Sequence, residues 1–318
     1  MNHVGINHLE SDRLQPSSPC QTQGPARFHC WAPLACVARS RWFDYFQAAP
    51  RTRGTIEGGA ARSDCQPRGD YLLRVIRTDL DETRRWQAID RLSRRLLVAE
   101  AFQHPQAVPV LDSEVDAPPF FLIEPFIAGR QLVAWRDSER ESCTISRMLW
   151  ILRQVAEVIS AAHDYDRVHL AIAPEHLLVN QEGKITLTGW CQAHQLQQRA
   201  WIPQETAEDV CCLAPEVTLD RYRAQTASDI YAWGVIAYWL FANRFPFAAD
   251  SVPGLIAAHR QEIPLELQVV QPLCPGPLNQ LVNLALAKNP LRRPTPKYLV
   301  DCLISIEIDH LHDARKAG

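Results

Sequence analysis

The hydrophobic pattern changes character partway along the chain. Up to residue 128, short aromatic and apolar runs predominate. The stretch 28–48 reads as two strands, and Tyr71–Ile76 as a third. Asp81 is placed to cap a helix whose apolar positions Trp86, Ile89, Leu92 and Leu96 recur at spacings of three and four. Two more strands are predicted over 108–111 and 119–124. Residues 51–70 hold four glycines and few apolar positions, which reads as a loop.

After Gly129 the period becomes helical. Ile145, Leu149, Leu152, Val155 and Ile159 make one long apolar face. A hairpin interrupts the pattern, with strands over 177–180 and 184–187 around Gly183. Helices separated by Pro-rich turns fill 227–306. A small β-lobe followed by a larger helical lobe is an α+β arrangement. Residues 1–27 are rich in Ser, Pro and Gln without periodicity and read as a disordered tail; 307–318 reads as a second tail.

Composition narrows this little. The 318 residues carry a net charge of −3, which gives no electrostatic reason to expect nucleic acid or an acidic membrane. None of the ten cysteines forms a C-x-x-C pair, so reduced thiols in a cytoplasmic protein are expected. The most apolar stretch, 230–242, is shorter than the roughly 20 residues a bilayer span needs, and reads as a buried helix. The N-terminus lacks the apolar core of a secretory signal.

The second half carries a series of motifs in fixed order. Val168-His169-Leu170-Ala171-Ile172-Ala173-Pro174-Glu175-His176-Leu177-Leu178-Val179 resembles the loop V-H-R-D-L-K-P-E-N-I-L-V. Leu187-Thr188-Gly189-Trp190-Cys191 resembles L-T-D-F-G, and Ala214-Pro215-Glu216 is A-P-E unchanged. Ser228-Asp229-Ile230-Tyr231-Ala232-Trp233-Gly234 resembles S-D-V-Y-S-L-G, and Asn289-Pro290-Leu291-Arg292-Arg293-Pro294-Thr295 resembles D-P-x-x-R-P-T. Together these resemble the eukaryotic-type serine/threonine protein kinase family. The resemblance implies a bilobal kinase-like fold over 28–306, with an N-lobe to about 128 and a C-lobe from about 129.

It also implies where chemistry should sit, and those positions are empty. The base position is Ala171, and a methyl group accepts no proton. The loop lysine is replaced by Ala173, and the two magnesium ligands by His176 and Gly189. His169 and His176 are two imidazoles with no third ligand in view, so no metal site is expected. The phosphate-covering glycine loop, expected near 30–37, has no glycine. Arg74 stands for the family's strand lysine and would face Arg95 or Arg94 in place of its helix glutamate, turning an attractive pair into a repulsive one. An outward-shifted helix or an anion between the arginines should follow. Ile123 is expected as gatekeeper, and Arg74, Ile123, Glu124 and Leu178 as the remains of a nucleotide cleft. No cofactor is expected beyond weak, cation-independent ATP or polyphosphate.

The framework positions His169, Pro174, Glu216, Asp229 and Arg293 are filled. The implied function is a pseudokinase that binds another protein of unknown identity. The alternative is an active serine/threonine kinase with relocated catalytic groups, for which Asp166 and Glu175 are the nearest carboxylates in sequence.

Overall fold

A computed structural model describes residues 28–51, 69–139, 143–195, 207–220 and 223–317. The expected tail at 1–27 and most of the 51–70 loop lie outside the described residues. The N-lobe is an antiparallel sheet of β1 (Trp31–Arg39), β2 (Phe43–Pro50), β3 (Tyr71–Ile76), β4 (Asp112–Glu114) and β5 (Phe121–Pro125), in the order β1-β2-β3-β5-β4. One helix, α1 (Glu82–Ala101), packs on it. The Asp81 carboxylate accepts from the Arg84 N–H at 2.8 Å and fixes where α1 starts. Ala88, Arg91, Leu92, Arg95 and Val98 form its buried stripe.

The two faces of the sheet are filled differently. Trp42, Phe43, Tyr45, Leu72, Ala88, Leu92 and Leu122 form one cluster on the α1 side. Phe28, Trp31, Phe46, Leu73, Phe121 and Ile123 form another on the far side. Two sequence expectations change here. The strand expected over 108–111 is displaced to Asp112–Glu114, with the Leu111 N–H already donating to the Ile123 carbonyl. The stretch expected as the glycine loop is β1 itself, and the hairpin turns later, at 40–42. There the buried Ser40 hydroxyl accepts from the Trp42 and Phe43 amides at 3.2 and 3.0 Å. A side chain that satisfies the turn's amides removes the need for glycine.

The C-lobe begins with β6 (Arg130–Gln131), α2 (Leu132–Ser138) and α3 (Ile145–Asp164), whose first turn is capped by Thr144. Next come β7 (Arg167–Val168), then the hairpin β8 (Leu177–Val179) and β9 (Ile185–Leu187), then β10 (His194–Gln195), which pairs with β7. α4 (Ala207–Val210) and α5 (Pro215–Leu219) lead into α6 (Thr226–Ala242). Every residue of α6 from Ser228 to Phe241 is buried, because the helix is apolar all round and sits at the centre of the lobe. A Cβ at Gly234 would lie 2.8 Å from the Ala285 side chain, so glycine lets α6 and α9 approach. Outside α6 lie α7 (Val252–Gln261), α8 (Leu267–Val270), α9 (Gly276–Ala285) and α10 (Pro296–Ala317). The boundary expected at 306 falls inside α10, which runs on unbroken while Glu307 accepts from Arg153 on α3 at 2.9 Å. No helix among the described residues is long and apolar enough to cross a membrane.

Candidate functional site

The groups that would do chemistry hang from a loop between β7 and β8. Its shape is set from below by α6. The Asp229 carboxylate accepts from the His169 and Leu170 amides at 2.8 and 2.9 Å, and His163 Nε2 binds the same carboxylate at 2.8 Å. This holds Leu170 at φ +61°, a conformation a branched side chain does not adopt unaided. His169 Nε2–H donates to the Thr188 carbonyl at 2.8 Å, and its Nδ1 accepts from the Ala171 amide at 3.2 Å. Burial presses its pKa down to about 3, against the opposing pull of Asp229, so the ring is neutral. Pro174 opens a buried single-turn 3₁₀ helix that ends at His176. Under the loop, Arg293 and Glu216 form a two-pronged buried pair at 2.7 and 2.8 Å, with Ser228 Oγ donating to the same carboxylate. The structure thus brings Asp229 to the His169 loop and Glu216 to Arg293.

Above this frame the reactive positions carry no reactive groups. Ala171 and Ala173 are partly buried methyl groups. His176 Nδ1–H donates to the Ala171 carbonyl at 2.5 Å, leaving Nε2 buried without a hydrogen-bond partner among the described residues. Gly189 adopts φ +83°, and a Cβ there would lie 2.9 Å from His176 Cγ and Nδ1. The imidazole therefore occupies the space from which a carboxylate at 189 would have to project. The cavity of about 40 Å³ beside Ala171 is lined by Asp229, whose oxygens are already engaged, and by no other carboxylate among the described residues. Glu175 points elsewhere, into a separate groove of about 630 Å³ with Cys211, Trp239 and Phe245. Trp190 ties the region to the N-lobe: its Nε1–H donates to the Leu187 carbonyl at 2.8 Å, and its ring meets His169 and Phe102 at 4.5 and 5.2 Å.

The cleft between the lobes holds three charges. Arg74 Nη2 donates to Glu124 Oε2 at 3.1 Å. Arg95 reaches the other oxygen of the same carboxylate through Nε at 2.9 Å and Nη2 at 2.8 Å, and also donates to the Val108 carbonyl. All three side chains are buried. Burial lowers the Arg95 pKa; Glu124 raises it and Arg74 lowers it again. Of the two outcomes expected for facing arginines, an anion between them is what forms, and the chain itself supplies it. The Arg74 guanidinium also lies over the Phe43 and Tyr45 rings at 5.5 and 5.3 Å. What space remains is a cavity of about 20 Å³, room for about one water.

Two of the expected cleft residues change place and a third, Glu124, stays but takes another part. Ile123 is not the gatekeeper: β5 alternates, so Leu122 and Glu124 face α1 while Ile123 packs on the far side with Phe46 and Leu73. Glu124 fills the back of the cleft with its side chain instead of bordering an open one. Leu178 pairs with Gln131 and Thr186 in a three-stranded sheet and does not line the cavity. The signal for Glu124 was a lone acidic residue ending an apolar strand, which needs a cationic partner if it is buried.

Comparison with known proteins fits this architecture. The family described as protein kinase domain matches residues 71–302. The chain is 30% identical over 196 residues to serine/threonine-protein kinase Pkn1 of Myxococcus xanthus, covering 59% of this chain and 27% of that protein. It is 25% identical over 247 residues to the probable serine/threonine-protein kinase PknB of Lactococcus lactis, covering 76% and 39%. Against serine/threonine-protein kinase PrkC of Bacillus subtilis it is 23% identical over 249 residues, covering 77% and 38%. The chain thus spans less than two fifths of each of these relatives. With an antiparallel N-lobe sheet, a helical C-lobe and a match over most of its length, the chain belongs to the protein kinase domain family and is related to bacterial serine/threonine kinases.

Proposed function

We propose that this chain is a pseudokinase, a kinase-domain module that acts by binding another protein and does not transfer phosphate. The observation that carries the reading is the His176 ring packed on Gly189, which fills the space where a metal-binding carboxylate would stand. The rest of the cleft supports it. Two arginines and one glutamate give the cleft a net positive charge, which disfavours a divalent cation. Ala171 offers no proton acceptor, and among the described residues no uncommitted carboxylate lines the adjacent cavity. Removing one well-placed electrostatic group typically costs about 10²–10³ in rate, and here the base, both metal ligands and the loop lysine are missing together. The relatives' names describe kinases; that activity does not carry to a chain with these positions empty. No observation favours the alternative of relocated catalytic groups. The expectation of a cytoplasmic location rests on cysteine spacing alone.

The test is transfer of labelled phosphate from ATP to the chain itself and to a generic protein substrate, with magnesium and with manganese. No incorporation above a chain-free control is expected. Turnover abolished by Asp166→Asn or Glu175→Gln would show that the base had moved and would overturn the reading.

A further inference from the structure

We propose that Glu124 is an internal ligand: it occupies an anion seat between Arg74 and Arg95, an autoinhibitory contact that keeps phosphate groups out of the cleft. The proposal goes beyond the lack of phosphotransfer, which rests on residues 171–189, and concerns what the cleft can hold. Three observations carry it.

The two arginines converge on one point from different elements, Arg74 from β3 and Arg95 from α1, and each takes one oxygen of the same carboxylate. The seat is held from outside as well. Arg74 lies over Phe43 and Tyr45, and Arg95 donates to the Val108 carbonyl, so both guanidinium groups stay fixed by contacts that do not involve Glu124. The remaining cavity of about 20 Å³ is lined by Leu72, Thr188, Gly189 and Trp190, and among the described residues that line it Glu124 is the acid. Guanidinium groups recognise carboxylates and phosphates by the same paired geometry. A seat that fits one therefore suits the other once Glu124 is gone.

In the family pattern, a cation on β3 faces acids on the helix and at the 189 position. Here both acids are absent and one acid has appeared on β5. The charge arrangement is inverted, so a bare anion suits the seat and a metal-chelated nucleotide does not.

The test is chemical rescue in the full chain. Glu124→Ala removes the resident carboxylate and leaves a space the size of acetate. Thermal unfolding is read at matched ionic strength in sodium chloride, sodium acetate and inorganic phosphate, all with EDTA. In chloride, Glu124→Ala should melt roughly 10 °C below the parent, since two buried cations lose their counter-ion. Acetate or phosphate should recover a large part of that loss. The parent should change among the three salts no more than the Glu124→Ala, Arg95→Leu chain does, which measures the general salt effect, and not at all on adding ATP. Adding Arg95→Leu to Glu124→Ala should abolish the rescue, because one arm of the seat is gone. Should Glu124→Ala not fold in chloride, refolding in acetate is the readout. A parent stabilised by metal-free ATP, or by phosphate beyond that general salt effect, overturns the proposal, as does a Glu124→Ala chain that neither anion restores. Phosphate transfer is measured separately, so a failure of the pseudokinase reading would be seen independently.

Discussion

The His176 imidazole stands over Gly189 so closely that the first carbon of any side chain at 189 would come within 2.9 Å of the ring. The two positions that the family pattern gives to metal ligands have changed as a packed pair. Gly189 also holds φ +83°, which costs a residue with a Cβ further strain.

Restoring the acid alone should therefore fail. Gly189→Asp is expected to lose roughly 1–3 kcal/mol of stability from steric overlap and backbone strain. His176→Asn in the same chain should return part of that loss, as a coupling of about 0.5 kcal/mol or more between contacting residues. Urea denaturation of the two single variants and the double variant measures it. Strict additivity would show that the ring and the glycine are independent.

A second expectation concerns the pair beneath the loop. Glu216 and Arg293 are both buried, and Arg293 also stacks over Tyr231 at 4.9 Å. Breaking one side leaves a buried charge without its counter-ion. Arg293→Met or Glu216→Gln should each cost about 3–5 kcal/mol, read as a lower urea midpoint. The double variant should cost less than the sum of the two. Losses below about 1 kcal/mol for the single variants would mean that the pair behaves like a surface salt bridge.

The third expectation is a pH dependence. Burial holds His169 neutral, with a pKa of about 3, and His259 with a pKa of about 4, where Lys288 adds to the effect. Both rings titrate near 6.5 when unfolded. Between those values the unfolded chain binds protons that the folded chain does not. Their contribution is therefore complete above pH 6.5 and shrinks as pH falls toward 4, by about 1.4 kcal/mol per pH unit for each ring. Urea midpoints at pH 7 and pH 5 should differ in that direction, and His259→Gln should reduce the slope. Equal midpoints at the two pH values in the parent chain would mean that neither ring is held neutral.

Much of this site could be read before any coordinates. The Asp81 cap, the apolar face of α3 and the hairpin of β8 and β9 follow from local spacing, while the framework role of Glu216 and Arg293 is implied by the family resemblance. The absence of a base at Ala171 is a fact of composition, because no fold gives a methyl group a proton affinity. The family pattern left Arg95 or Arg94 to face Arg74; the structure brings Arg95 and Arg74 to the same carboxylate.

What only the tertiary structure decided is where Glu124 points and what it does. In a strand, a shift of one residue sends every side chain to the opposite face. The family resemblance puts both Ile123 and Glu124 at the cleft, which one strand face does not allow; pairing with β3 and β4 sets the register and turns Glu124 inward. The repulsion between Arg74 and Arg95 was legible; its relief was not, because the relieving charge comes from a third element, distant in sequence from Arg74. The contact of Arg153 with Glu307, beyond residue 306 on α10, was hidden for the same reason: it joins segments far apart in sequence. The Ser40 turn is local, Ser40 Oγ with the amides of residues 42 and 43, but the pairing of β1 with β2 decides that the hairpin turns there.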